Sequence, residues 1–163
     1  MAPAVAFRWA DLEDQSALAD LLQESHAYYW GDDSADPGEA RMAAEAILGG
    51  GSGCDALIAW AGGRAVGFAN VTLLHPALTA AGTLFMKDLF ISAGMRGSGL
   101  GRAFLTTLGR HAAKLGCARF DWTAETDNPR AIAFYEGVGG EVVSEKVYFR
   151  IAGADLAAFG DEG

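Results

Sequence analysis

The sequence predicts a single domain of mixed α/β class, α+β in its layout, built round one largely antiparallel sheet. Three observations carry this. Apolar residues recur at helical spacing in some segments and form strand-like runs in others. Gly62-Gly63 joins two strand-like runs as a tight hairpin. The chain has 163 residues, 51% hydrophobic and 20% charged, which suits one buried core without disulfide or metal staples.

The elements follow in order. A strand over Val5 to Trp9 leads to Asp11, which can cap a helix whose Leu12, Leu18, Leu21 and Leu22 share a face; it runs to about Tyr28. Asp36-Pro37 is a start signal for a second helix, and Gly49-Gly50-Gly51 stops it. Ala56 to Ala61 and Ala65 to Leu74 are the arms of the hairpin. A loop around Pro76 precedes a strand from Thr83 to Ile91. A glycine-rich turn then opens a helix with Leu100, Phe104, Leu105, Leu108, Ala112 and Leu115 on one face, ended by Gly116. Ala118 to Thr123 forms a strand and Asn128 to Val138 a short helix stopped by Gly139-Gly140. Strands over about Glu141 to Ser144 and Lys146 to Ile151 close the domain, before a Gly/Ala-rich tail after Ala152. The total is six to seven strands and about four helices over 1–163, with no repeat, low-complexity tract or linker.

Composition narrows the function. Twelve Lys and Arg against 21 Asp and Glu give a formal charge of −9, which opposes a nucleic-acid backbone as partner and suits a cationic small substrate. Residues 65–86 carry no charge, but Asn70, Thr72, His75, Pro76, Thr79, Gly82 and Thr83 interrupt them, so no membrane segment is expected. Cys54 and Cys117 are far apart and His26, His75 and His111 are isolated, so neither a metal site nor a catalytic triad is expected. The separated cysteines, and a start that lacks a signal-peptide layout, point to the cytoplasm.

The run Arg96-Gly97-Ser98-Gly99-Leu100-Gly101, between a strand and a helix, has the chemistry of an anion cradle. Early helical N–H groups lack internal partners, the helix dipole adds positive character, and glycines let a phosphate approach the backbone. Arg96 and Arg102 can add charge at the rim. A dinucleotide fingerprint fails because Arg102 stands where its third glycine belongs, and a nucleotide P-loop fails for want of Gly-Lys-Ser/Thr. A sharp turn with close helix packing remains the competing reading.

Lys87-Asp88-Leu89-Phe90-Ile91-Ser92, four residues, then Arg96 to Gly101, resembles the acetyl-CoA motif of the Gcn5-related N-acetyltransferase (GNAT) superfamily. Independently, Asn128-Pro129-Arg130-Ala131-Ile132-Ala133-Phe134-Tyr135-Glu136-Gly137-Val138-Gly139 resembles that superfamily's Asn-x-x-Ala-x-x-Phe-Tyr-x-x-x-Gly helix. The likeness is strongest over 83–151 and nearest to diamine and small-amine acetyltransferases. It implies a twisted sheet splayed at its middle, with acetyl-CoA in the split, and a homodimer.

The resemblance also assigns roles. A backbone N–H near Leu89 would hold the oxyanion, and Leu89, Phe90 and Ile91 would bond the pantetheine arm. Arg96, Gly97, Ser98, Gly99, Leu100, Gly101 and Arg102 would take the pyrophosphate, with Asn128 and Ala131 as further coenzyme contacts. Tyr135 is the candidate general acid to the departing thiolate. Tyr28, Lys87, Asp88 and Trp122 are acceptor-site candidates; base duty falls through water to Asp88 or Glu125, or is unnecessary for an acceptor already deprotonated. Diamine enzymes carry Glu-Asp where this chain has Lys87-Asp88, which disfavours a polycation. The expected activity is acetyl transfer from acetyl-CoA to a primary amine of a small molecule. The alternatives are a protein or peptide N-acetyltransferase and a non-catalytic CoA-binding regulatory module.

Overall fold

The computed structural model describes residues 4–75 and 80–161; the loop expected around Pro76 falls largely outside them. The chain divides into two units, Met1–Thr123 and Ala124–Gly163.

In the first unit, β1 (Val5–Trp9), β2 (Cys54–Ala61), β3 (Arg64–Leu74), β4 (Thr83–Ile91) and β5 (Arg119–Trp122) form one sheet in sequence order. The first three pairings are antiparallel, and β4 with β5 is parallel. The parallel pair needs a crossover, which α3 (Leu100–Lys114) provides. Gly62 and Gly63, both at positive φ, make the β2–β3 turn that only glycine adopts freely.

Asp11 does not cap the long helix directly. It caps a short 3-10 turn over Leu12–Asp14 in a reciprocal capping box with Asp14, and α1 (Gln15–Trp30) follows. Asp36 caps α2 (Pro37–Leu48), accepting from Gly38 N–H at 2.7 Å. These two helices bury Leu18, Leu21 and Ala44 against Ala56, Ile58, Phe68 and Phe90. Each large apolar side chain so enclosed contributes about 1.5–3 kcal/mol. Phe104 and Leu108 of α3 are fully buried, and Phe104 meets Phe7 edge-on at 4.9 Å. Gly67 is required by close approach: a Cβ there would lie 2.8 Å from the Phe90 carbonyl oxygen.

Two irregularities in the sheet matter for chemistry. Between Asn70 and Val71 the β3–β4 register shifts, because Asn70 faces Asp88 while Val71 faces Met86, so Lys87 is a bulged extra residue. In addition, β4 pairs with β5 only from Thr83 to Met86, whereas its pairing with β3 runs on to Ile91. The two strands therefore part at the bulge.

The second unit contains α4 (Pro129–Gly137) and α5 (Ala154–Asp161). Here the expectations need correction. The strands expected over 141–151 do not form, so the described sheet has five strands rather than six or seven. An apolar run becomes a strand only when another strand pairs with it, and Val147, Tyr148 and Phe149 are exposed. The Gly/Ala-rich tail after Ala152 forms α5; its Ala and Leu residues are good helix formers.

Candidate active site

The glycine turn takes its shape from backbone requirements. After β4 the chain makes a 3-10 turn over Ala93–Met95 and then passes Gly97 at φ 77° and Gly99 at φ 86°. Side-chain-bearing residues avoid this left-handed region. A Cβ on either glycine would meet nothing within 4 Å, so their smallness leaves open space rather than tight packing. Gly99 is the N-cap of α3, and its carbonyl accepts from Ala103 N–H at 3.1 Å. The N–H groups of Leu100 and Gly101 precede that first rung at the positive end of the dipole. Ser98 braces the turn, its hydroxyl donating to the Met95 carbonyl at 2.6 Å. Exposed Arg102 adds a cation on the first turn of α3. The donors, the space and the charge fit a diphosphate.

Arg96 is engaged elsewhere as well as near the turn. Its Nε donates to the Ile91 carbonyl at 2.9 Å, and its guanidinium lies 3.8 Å from the Tyr28 ring centre and 5.6 Å from that of Phe90. It thus ties the end of β4 to the end of α1. Ser92 makes a second tie, its hydroxyl donating to Glu24 at 2.7 Å.

Beyond Met86, the backbone of Leu89, Phe90 and Ile91 has β3 on one side and no β5 partner on the other. An open strand edge is what an amide-bearing chain such as pantetheine can pair with. Trp122 faces Met86 on the last rung before the gap and packs against Phe120 at 5.0 Å between ring centres.

On the α1 side of the sheet stand Tyr28, Tyr29, Asp88, Asn70 and Cys54. Tyr28 and Tyr29 are exposed, with ring centres 5.0 Å apart. Desolvation pushes the Tyr29 phenol above its ordinary pKa; Tyr28 and Asp88 act the same way and Arg96 opposes them. Burial also raises the Cys54 thiol, with Asp88 and Asp55 adding to it. Such a thiol is protonated at neutral pH and is a poor acyl-accepting nucleophile. Lys87 lies 3.6 Å from Asp88, an exposed pair. Asn70 donates from its amide nitrogen to Asp88 at 3.2 Å, while its Oδ1 is buried without a hydrogen-bond partner. An orphaned amide oxygen costs about 1–3 kcal/mol. Asp20, Gln23, Glu24 and Ala27 of α1, with Asp32 and Ala35 beyond its end, line an open groove of about 330 Å³.

In the second unit Asn128 caps α4, accepting from Ala131 N–H at 3.1 Å, so two predicted coenzyme contacts are joined by one bond. Tyr135 is half-buried on the same helix, with its ring 5.2 Å from that of Phe134. Glu125 precedes α4 and is exposed.

The first unit therefore brings together Tyr28, Asp88, Leu89, Phe90, Ile91 and Arg96, with Lys87 on the rim. Asn70 was missed by sequence reasoning. Its signal was an amide inside the apolar run Val66 to Leu74 of the hairpin. Among the described residues no cluster of His, Cys, Asp or Glu suits a metal ion, and no helix is long and apolar enough to cross a membrane.

Comparison with known proteins bears on this geometry. Residues 16–139 match the acetyltransferase (GNAT) family. The L-ornithine N5-acetyltransferase NATA1 of Arabidopsis thaliana is 33% identical over 84 residues, 52% of this chain and 37% of that protein. The aminoglycoside N(6')-acetyltransferase type 1 of Stenotrophomonas maltophilia is 29% identical over 56% of this chain and 61% of its own length. The matches thus span from about a third to three-fifths of these relatives. Among solved structures, the integron cassette protein VCH_CASS6 from the mobile metagenome of V. cholerae has TM-score 0.90 and 32% identity, over 96% of this chain and 98% of its own. The aminoglycoside N-acetyltransferase AAC(6')-Iy in complex with CoA has TM-score 0.75 and 17% identity, over 93% and 97%, a likeness of fold alone.

Proposed function

Since the chain belongs to the GNAT family of acetyltransferases, we propose that it moves the acetyl group of acetyl-CoA to a primary amine of a small molecule, as one domain over 1–163. The observation that carries this is the glycine turn at the start of α3 beside the unpaired length of β4 from Leu89 to Ile91. Together they offer a diphosphate cradle and a strand edge for the amide-bearing arm.

An amine arrives as ammonium near neutral pH and must lose a proton before it can attack. The carboxylate of Asp88 receives the ammonium and accepts that proton, directly or through water. The neutral nitrogen then adds to the thioester carbonyl, and the oxyanion is held by a backbone N–H near Leu89. Collapse breaks the carbon–sulfur bond, and Tyr135 protonates the departing thiolate. The nitrogen sheds its second proton, which restores the phenol. The balance is one ammonium and one acetyl-CoA giving one amide, one CoA thiol and one released proton. Raised Cys54 favours this direct attack over an acyl-cysteine route.

An amine of small size is supported by the acidic and aromatic surroundings, namely Asp88, Tyr28 and Tyr29. Named relatives act on ornithine and aminoglycosides. We also read the chain as a homodimer in the cytoplasm. Exposed Val147, Tyr148 and Phe149 support pairing, because a second copy would cover apolar surface; light scattering at a dimer's mass is expected, and a monomer contradicts it.

Free-thiol release from acetyl-CoA, run against ornithine, polyamines, aminoglycosides and peptides, tests the activity. Release with a small amine is expected. Release with peptides alone would favour a protein acetyltransferase, and tight CoA binding without release a regulatory module.

A further inference from the structure

Asn70 lies in the middle of β3 with 3% of its surface exposed, on a rung of the sheet directly opposite Asp88. A carboxylate offers acceptors only, so the amide nitrogen faces Asp88 and Oδ1 faces away. That oxygen is buried and meets no donor. On the same face of the sheet stand buried Ala56, Phe68 and Phe90, an apolar setting in which leucine would carry no polar atom to satisfy. Retaining an amide there, half of it unpartnered, calls for a reason outside stability.

The reason lies on the other strand. Lys87 bulges out of register immediately before Asp88, and the sheet opens at the same point because β5 stops pairing at Met86. Asn70 grips one of the Asp88 carboxylate oxygens from inside at 3.2 Å, and Lys87 lies 3.6 Å from the other on the exposed side. The Asp88 side chain is 45% exposed, so it can be reached from solvent while anchored from within.

We infer that Asn70 is a positioning residue for the acceptor amine, fixing the Asp88 carboxylate at the mouth of the strand split through its amide N–H. The inference rests on the reading of Asp88 as the group that receives the amine. It extends that reading to a residue that touches neither substrate nor coenzyme. A misplaced carboxylate loses alignment with the amine, an error that costs about 10- to 100-fold in such steps.

The test compares wild type with Asn70→Leu, Asn70→Asp and Asp88→Asn, alone and combined, by thiol release with ornithine and an aminoglycoside, and by calorimetric amine binding. Asn70→Leu keeps size and removes both the donor and the orphaned oxygen. It should keep or raise Tm, leave KM for acetyl-CoA unchanged, and lower kcat/KM for the amine about 10- to 100-fold. Asn70→Asp keeps shape but sets two carboxylates together and should be at least as impaired. In the Asp88→Asn background, Asn70→Leu should cost nothing further, because the partner it serves is gone. Full amine activity in Asn70→Leu, or equal losses with and without Asp88, would overturn the inference and leave the acetyltransferase reading intact. A wild-type chain that neither binds nor acetylates any amine would overturn both.

Discussion

Replacing Gly99 with alanine puts a methyl group on a residue whose φ is 86°, at the N-cap of α3 and facing open space. Two separable effects follow. The left-handed backbone costs an L-residue about 1–2 kcal/mol, and each kcal/mol lowers Tm by roughly 2–4 °C at this chain length, so a fall of about 2–8 °C is expected. The methyl also occupies the space through which a diphosphate reaches the N–H groups of Leu100 and Gly101. Losing one charge-assisted hydrogen bond costs about 1.5–3 kcal/mol, or roughly a 10- to 100-fold weaker Kd for CoA. Calorimetry with CoA and with acetylpantetheine, which lacks the diphosphate, separates the effects. CoA affinity should fall while acetylpantetheine affinity holds. A fall in Tm with CoA affinity unchanged would refute the cradle and leave only a bend.

Other perturbations test the frame and the chemistry. Arg8→Ala removes hydrogen bonds of 2.7 and 2.6 Å from buried Asp14 and should lower the midpoint of urea unfolding; an unchanged midpoint contradicts this. The Arg8 hydrogen bonds hold the Asp14 carboxyl below its ordinary 3.8 against opposing desolvation, with a smaller contribution from the Asp11 N–H. Its stabilisation is therefore present above that pH and lost as pH falls through the depressed folded value, and Asp14→Asn should flatten the acid limb of stability. Gly67→Ala sets a Cβ 2.8 Å from a backbone oxygen and 3.2 Å from the Phe104 ring, and should cost about 1–3 kcal/mol in thermal denaturation. Tyr135→Phe should lower kcat about 10²- to 10⁴-fold and leave acetyl-CoA affinity unchanged; equal turnover would remove Tyr135 from the acid role.

What could be read in advance was local. The bounds of β1 and β4, the hairpin glycines and the Asp36-Pro37 start all depend on neighbouring residues, and they stand where patterning puts them. What could not be read depends on pairing. The bulge at Lys87 exists only in the register of β3 against β4, so no feature of Lys87-Asp88 alone announces it. For the same reason the burial of Asn70 stayed hidden, as did the double use of Arg96, which needs Tyr28 from a distant helix. The segment 141–151 has strand-like composition, and composition alone does not decide whether a ladder forms along it. The Gly97 and Gly99 turn was readable because its requirement is intrinsic to the backbone.

The most direct measurement uses isotopically labelled acetyl-CoA with a small primary amine, following thiol release and the mass of the amine together. One labelled acetyl group on the amine nitrogen is expected for each thiol released, with both signals slowed together in Tyr135→Phe. Thiol released without label on the amine, or label on Cys54 instead, would contradict direct transfer from acetyl-CoA to the amine.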